Sequence, residues 1–151
     1  MLVVTGGFSD ATLAELGYKY AAVFLDFGSP ESHHMNGQVD GWWPEVLDML
    51  KNKCILIHAR VGYEEGPQVP DPAAAEYAAE VVCHMGWWEA IMKGMISHKR
   101  VCYVEPEHGP WPYQQSAPGT DMKPSHDIWE SNKYVIGLVK ERWPAIVASQ
   151  P

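Results

Sequence analysis

The 151-residue sequence lacks the features that mark several broad classes of protein. It has no run of Lys or Arg, and its 11 basic residues against 19 acidic ones give a net charge of −8, which disfavours binding to nucleic-acid phosphates. No apolar stretch approaches the ~20 residues that span a bilayer. The opening segment MLVVTGGFSD contains no basic residue and too short an apolar run for a signal peptide. We therefore expect a cytoplasmic protein that binds neither nucleic acid nor membrane.

Cysteine is scarce. The sequence contains three cysteines, an odd number without C-x-x-C spacing, and each lies in an apolar segment: Cys54, Cys83 and Cys102. This pattern favours buried, reduced thiols over a disulfide framework or a thiolate metal site. It is also consistent with a reducing compartment.

The composition is typical of a globular protein, with 46% hydrophobic and 20% charged residues. The length suits one domain over residues 1–151. Seven Trp and seven Tyr are many for this length. They indicate either a large aromatic core, which is the commoner use, or aromatic walls around a binding site.

Helical and strand-like patterns alternate along the chain. Strands are predicted from uninterrupted apolar runs, and helices from apolar spacing and cap residues. Such an alternation predicts an α/β fold with a parallel sheet covered by helices. The predicted elements are a helix over 9–17, a strand over 20–27, a helix over 41–52, a strand over 53–60, a helix over 70–99, a strand over 100–107 and a helix over 125–143.

Two of the predicted helices have recognisable N-cap residues and apolar faces. Asp71 is a suitable N-cap for the long helix, with Pro72 in its first turn, and Ser125 is a suitable N-cap for the last helix. Apolar residues at three- and four-residue steps predict the buried faces. These are Tyr77, Val81, Met85, Trp88, Met92 and Met95 on the long helix, and Ile128, Val135, Leu138 and Val139 on the last.

Each predicted strand ends in polar residues: Asp26 on the first, His58 and Arg60 on the second, Glu105 and Glu107 on the third. Ligands bind at the carboxyl ends of strands in parallel α/β sheets. Carboxylate and imidazole donors suit Mn²⁺, Mg²⁺, Co²⁺ or Zn²⁺, and an arginine can hold a substrate oxygen or carboxylate. The alternative is that these residues are solvated strand ends or cap partners.

Four stretches of the sequence, IHARVGYEEGPQVPDP, HMGWWEAI, EPEHGPWPY and DIWESNKYVIGLVKERW, resemble the sugar phosphate isomerase/epimerase proteins with a xylose-isomerase-like TIM barrel. The resemblance covers residues 54–143, and FSDATLAELGYKYAAVFLDF matches more loosely. It implies strands six to eight of the barrel, about the C-terminal half of a fold that typically needs ~250 residues.

The resemblance implies a divalent metal held by Asp26, His58 and Glu107, with Glu105 as the substitute for Glu107. Glu107 would also be the acid/base, and Arg60 would anchor the substrate. The implied reaction is metal-assisted proton transfer next to the carbonyl of a small sugar or sugar acid.

The sequence departs from the family pattern at two places. Ser29 stands where the family has a histidine that faces the substrate, and histidines follow only at His33 and His34. The metal-binding glutamate of strand five has no counterpart. Three further histidines lie on predicted helices or at their ends and are expected to be surface or core residues: His84, His98 and His126.

Three strands alone would leave two unpaired sheet edges. The chain could pair with a second copy or with a partner half-barrel. It could also be a non-catalytic, truncated half-barrel that persists as a remnant or an interaction module.

The loop over 108–124 contains two aromatic residues, Trp111 and Tyr113. They either stack on a sugar or hold a long loop in place, and the second use is commoner.

Overall fold

The computed structural model describes residues 48, 51–54, 56–63, 66–121 and 123–149. Over these ranges the chain is a mixed helix and strand structure with a small parallel two-stranded sheet, as the α/β pattern predicts. The elements are β1 (Leu56–Ala59), a 3-10 turn (Ala75–Tyr77), α1 (Ala78–Ser97), β2 (Tyr103–Pro106) and α2 (Ile128–Ala148). The predicted helix over 9–17 and strand over 20–27 lie outside the described residues. In the predicted helix over 41–52, the described residues Asp48, Lys51 and Asn52 are helical. Lys53, which follows them, is helical as well.

The two strands pair in parallel because α1 carries the chain back between them. Leu56 pairs with Tyr103 and Ala59 with Pro106, so the strands end side by side. Both strands are shorter than the predicted 53–60 and 100–107.

Helix α1 begins later than predicted, and Asp71 is not its N-cap. Asp71 Oδ1 instead accepts a hydrogen bond from the Ala73 N–H at 2.9 Å, which closes a local turn. The backbone of Ala74 is extended, and a 3-10 turn leads into the α-helix at Ala78. The α-helix therefore begins after this turn, at Ala78, and not at Pro72.

The predicted apolar stripe of α1 forms the centre of the core. Val81, Met85, Trp88, Met92 and Met95 are each at most 7% exposed, as predicted, whereas Tyr77 at the edge is only partly buried. Residues from β1 and α2 complete the same cluster, among them Ile57, Ala59, Val135 and Val139. The core thus connects both helices to the sheet.

Helix α2 starts and ends differently from the prediction. Its N-cap is Asp127, whose carboxylate accepts from the N–H groups of Trp129 and Glu130, and not Ser125. The helix also passes Pro144 and continues to Ala148. Ile146 is 1% exposed and packs the last turn of the helix against the core. This burial offsets the loss of the hydrogen bond that Pro144 cannot donate.

The three thiols are free. Cys54 is buried, whereas Cys83 and Cys102 are half-buried. Burial raises the pKa of Cys54 and of Cys83 to about 11.

Within the described ranges, neither helix is both long and apolar enough to cross a bilayer.

Candidate functional site

The carboxyl ends of β1 and β2 form the rim on which the predicted site residues lie. His58 is in register with Glu105, and the N–H of Glu107 donates to the carbonyl of Ala59 at 3.2 Å. This last bond extends the parallel pairing by one residue. Glu107 is therefore held beside the end of β1 by backbone geometry alone.

His58 and Glu107 meet at this rim. The distance from His58 Nδ1 to Glu107 Oε2 is 2.9 Å, and the two side chains are 7% and 32% exposed. The side chain of Glu105 is exposed, so Glu107 is the carboxylate next to the imidazole. An imidazole nitrogen and a carboxylate oxygen can both donate electron pairs to a cation.

Arg60 is nearly buried, 8% exposed, and its guanidinium carbon lies 4.5 Å from the centroid of the Tyr113 ring. Cation–π stacking of this kind fixes the plane of the guanidinium. Tyr113 comes from the loop after β2. Arg60 thus connects the end of β1 to that loop.

His108, next to Glu107, is a buried residue that sequence reasoning did not single out. Its ring is 4% exposed, and neither ring nitrogen has a hydrogen-bond partner among the described residues. Asn132 of α2 fixes the backbone by accepting from the His108 N–H at 2.7 Å and donating to its carbonyl at 2.9 Å. Burial and the nearby charge of Arg60 lower the pKa of His108 to about 4, so the ring is neutral at pH 7.

Two buried glutamines join the loop after β1 to the loop after β2. Gln68 Nε2 donates to Gln114 Oε1 at 2.6 Å and to the Gly109 carbonyl at 3.0 Å, and Gln68 Oε1 accepts from the Gly109 N–H at 2.8 Å. Gln114 Nε2 in turn donates to the Pro70 carbonyl and to Ser125 Oγ. We call this set the glutamine clamp. It holds the rim loops in one arrangement.

His84 is a structural residue of the core. Its Nε2 accepts a hydrogen bond from the Gly62 N–H at 3.2 Å, which assigns the ring proton to Nδ1 and makes that nitrogen the donor to the Glu80 carbonyl at 2.8 Å. The ring is fully buried. This fits the expectation of a surface or core histidine, and its bond supports the start of the loop after β1.

The predicted third ligand, Asp26, lies outside the described residues, as do Ser29, His33 and His34. Within the part of the chain that the structure describes, no group of three or more His, Cys, Asp or Glu side chains is arranged to hold a metal ion. The described rim therefore contributes two of the three predicted donors, His58 and Glu107.

Comparisons with protein-family models, with curated proteins and with solved structures find no match to this chain. The geometry of the rim is therefore the basis for a functional proposal.

Proposed function

We propose that the chain is a sugar phosphate isomerase/epimerase-like protein that moves a proton next to the carbonyl of a small sugar or sugar acid, with help from a divalent metal. One observation carries the proposal: the 2.9 Å contact between His58 and Glu107 at the ends of adjacent parallel strands. Carboxylates are common general bases in proton transfer to and from carbon.

The architecture supports a partial eight-stranded barrel as the parent fold. In such a barrel each parallel strand is followed by a helix, and the active site lies at the carboxyl ends of the strands. The described chain has this order over β1, α1, β2 and α2, and its polar rim is at the expected end. On this proposal residues 1–151 are one partial barrel domain corresponding to strands six to eight.

The donor pair fits a divalent cation. Neighbouring ligands of an octahedral ion with metal–ligand distances of ~2.1 Å lie about 3 Å apart. The 2.9 Å between His58 Nδ1 and Glu107 Oε2 agrees with that spacing. His58 and Glu107 would hold Mn²⁺, Mg²⁺, Co²⁺ or Zn²⁺, with Asp26 as the proposed third ligand. The ion would supply charge stabilisation for the oxygen of the substrate carbonyl.

The side chains of the rim have separate roles in this proposal. Glu107 takes the proton from the carbon next to the carbonyl and returns it. His58 orients the Glu107 carboxylate by contact with Oε2. Arg60 provides a fixed positive charge and five N–H donors near the same strand end, and its stacking on Tyr113 limits its freedom.

Metal-dependent stabilisation tests the proposal. Urea unfolding of the full chain, followed by tryptophan fluorescence, is measured with and without Mn²⁺. A ligand of the native state at a hundred times its Kd adds ~2.7 kcal/mol to the free energy of unfolding. We expect such a gain for the wild type and for His98→Ala, whose side chain is exposed, and its loss in His58→Ala. Equal gains in all three proteins, or none, would refute the metal site.

Exposed apolar side chains at the start of β2 favour a second candidate, a non-catalytic half-barrel that serves as a remnant or an interaction module. Val101, just before β2, is 65% exposed, and Tyr103, the first residue of β2, is 50% exposed. A second copy or a partner half-barrel would cover them. Sedimentation of the full chain distinguishes the candidates: a dimer that dissociates in Tyr103→Lys and shows no response to Mn²⁺ supports the module.

A further inference from the structure

A groove of about 480 Å³ opens between the loop after β1 and the loop after β2. This volume lies within the range of small-molecule sites, roughly 300–1,000 Å³. Its lining combines aromatic and neutral polar side chains, chiefly Tyr63, Gln68, Trp111, Tyr113, Gln115 and Ser116. The groove is separate from the His58–Glu107 contact but adjoins it through Tyr113, on which Arg60 stacks.

Two aromatic side chains of the groove are open to solvent. Trp111 is 58% exposed and Tyr113 is 46% exposed, whereas Trp87 and Trp88 of the core are at most 4% exposed. The glutamine clamp fixes the loop that carries them, because Gln114 is 2% exposed and bonded to three partners. A rigid loop that displays aromatic faces suits a ligand with an apolar face of its own.

The polar groups of the groove are neutral donors and acceptors. Tyr63 Oη accepts from Gln115 Nε2 at 2.8 Å and retains its own proton for another acceptor. The amide oxygen of Gln115 retains its lone pairs. Ser116 Oγ has no hydrogen-bond partner among the described residues. Hydroxyl groups, which both donate and accept, match this mixture.

The described lining contains no Lys, Arg, His, Asp or Glu. Phosphate and carboxylate ligands are normally held by charge-assisted bonds from Arg or Lys. Arg60, the buried cation nearby, lies against the Tyr113 ring and does not line the groove. The groove therefore disfavours an anionic ligand.

We propose that this groove binds a neutral, unphosphorylated sugar or cyclitol ring, with Trp111 and Tyr113 as stacking surfaces and Tyr63 and Gln115 as hydroxyl partners. As a statement about the substrate of the isomerase, the proposal rests on the proposed function. As a statement about binding, it is independent of any metal.

Saturation-transfer NMR on the full chain without metal tests the groove. The neutral probes are D-glucose, D-galactose, D-xylose, D-fructose and myo-inositol, and the charged probes are D-glucose 6-phosphate and D-glucuronate. We expect transfer to at least one neutral probe and at least tenfold weaker binding of that probe by Trp111→Ala. Trp129→Ala removes an even more accessible tryptophan, 68% exposed, from α2 and should bind as the wild type does.

The same measurement in His58→Ala separates this proposal from the proposed function. Unchanged sugar binding in that variant, together with loss of its response to Mn²⁺, supports both. Unchanged sugar binding with no Mn²⁺ response in any protein refutes the metal site but still supports the groove as a sugar site. The groove proposal is overturned if no neutral probe binds, if a charged probe binds more tightly, or if Trp111→Ala and Trp129→Ala bind equally. Circular dichroism confirms that each variant is folded.

Discussion

At the scale of single residues, the rim contains two histidines in contrasting surroundings. His58 contacts a carboxylate, whereas the ring of His108 is buried without a hydrogen-bond partner among the described residues. The electrostatic neighbours of His108 are mostly cationic or potentially so: Arg60, His84 and His126 oppose its protonation, and only Asp71 favours it. Adding a proton to His108 would therefore place a second positive charge beside Arg60 in a poorly hydrated region.

Stability should fall in acid because of His108. Its pKa is about 4 in the folded chain and ~6.5 in an unfolded chain. Between these values the unfolded chain binds a proton that the folded chain does not, so the free energy of unfolding declines as pH falls from about 6.5 to 4. The contribution of this residue amounts to roughly 3 kcal/mol at most.

Urea unfolding of the wild type and of His108→Leu across pH 7 to 4 measures this contribution. The leucine cannot titrate, and the bonds from Asn132 to the backbone of residue 108 remain available. The difference in free energy between the two proteins should change through the window from 6.5 to 4. Parallel curves would show that His108 is not a source of acid sensitivity.

Sequence reasoning placed His58 and Glu107 at one rim because strand ends can be read from apolar runs, and the 2.9 Å contact agrees with that placement. It did not find the glutamine clamp. Gln68 and Gln114 are 46 residues apart, and glutamine in a loop is usually solvated. Their burial follows from how two loops fold against each other, which no local pattern encodes. The sequence offered one weak signal for this burial: both glutamines lie in loops rich in Pro and Gly, within the segments GPQ (66–68) and YQQ (113–115).

At the scale of elements, the glutamine clamp substitutes for regular structure in the two rim loops. Gln68→Ala removes all three Gln68 bonds and leaves the Gly109 N–H, the Gly109 carbonyl and Gln114 Oε1 without their partner. Unpaired buried polar groups are costly, so we expect a loss of about 2 to 3 kcal/mol in the free energy of unfolding.

Gln115→Ala is the matched control for the clamp, since Gln115 is an exposed glutamine in the same loop. Its effect should stay within roughly 0.5 kcal/mol. Chymotrypsin provides a second measurement, because Tyr113 is exposed while the next residue is held by the clamp. Cleavage after Tyr113 should be faster in Gln68→Ala than in Gln115→Ala. Equal rates would mean that the clamp does not restrain the loop.

The start of α2 allows a second prediction at this scale. Asp127→Ala removes the acceptor for the N–H groups of Trp129 and Glu130 and should destabilise the chain by about 1 kcal/mol. Asp127→Ser keeps a capping oxygen and should remain close to the wild type. The free energy of urea unfolding distinguishes the two. A serine variant as unstable as the alanine variant would argue against capping.

Sequence patterns located the helices better than their ends. Apolar spacing predicted the buried stripe of α1 correctly. The cap pattern Asp71–Pro72 did not predict where the helix begins. Asp127 and Ser125 are both good cap residues and lie two positions apart. In the structure Asp127 caps the helix, and Ser125 Oγ accepts from Gln114 instead.

At the scale of the whole molecule, the core joins β1, α1 and α2 in one cluster that includes Cys54. Cys54 is 2% exposed, and burial raises its pKa to about 11. A thiol reagent needs the thiolate and access to it. Cys54 should therefore react only when the segment just before β1 separates from the core.

A chain with Cys83→Ser and Cys102→Ser retains Cys54 as its single thiol. Its reaction with a disulfide reagent at pH 8 should be slow in buffer and should accelerate with urea as the open form becomes populated. A chain that retains only the half-buried Cys83 should react faster in buffer. Equal rates for the two chains in buffer would show that the cluster does not protect Cys54.

The packing at Gly94 has a consequence for recognising relatives of this protein. A Cβ at this position would lie 2.5 Å from Lys51 Cα and 2.6 Å from the Lys51 carbonyl oxygen, so α1 and the segment before β1 touch backbone to backbone. Any side chain there would force the two segments apart. A protein of the same architecture can change its surface and even its rim, but we expect it to retain glycine at this point. Glycine in α1, combined with the two clamp glutamines at their spacing, is thus a signature by which distant members could be found when overall similarity has faded.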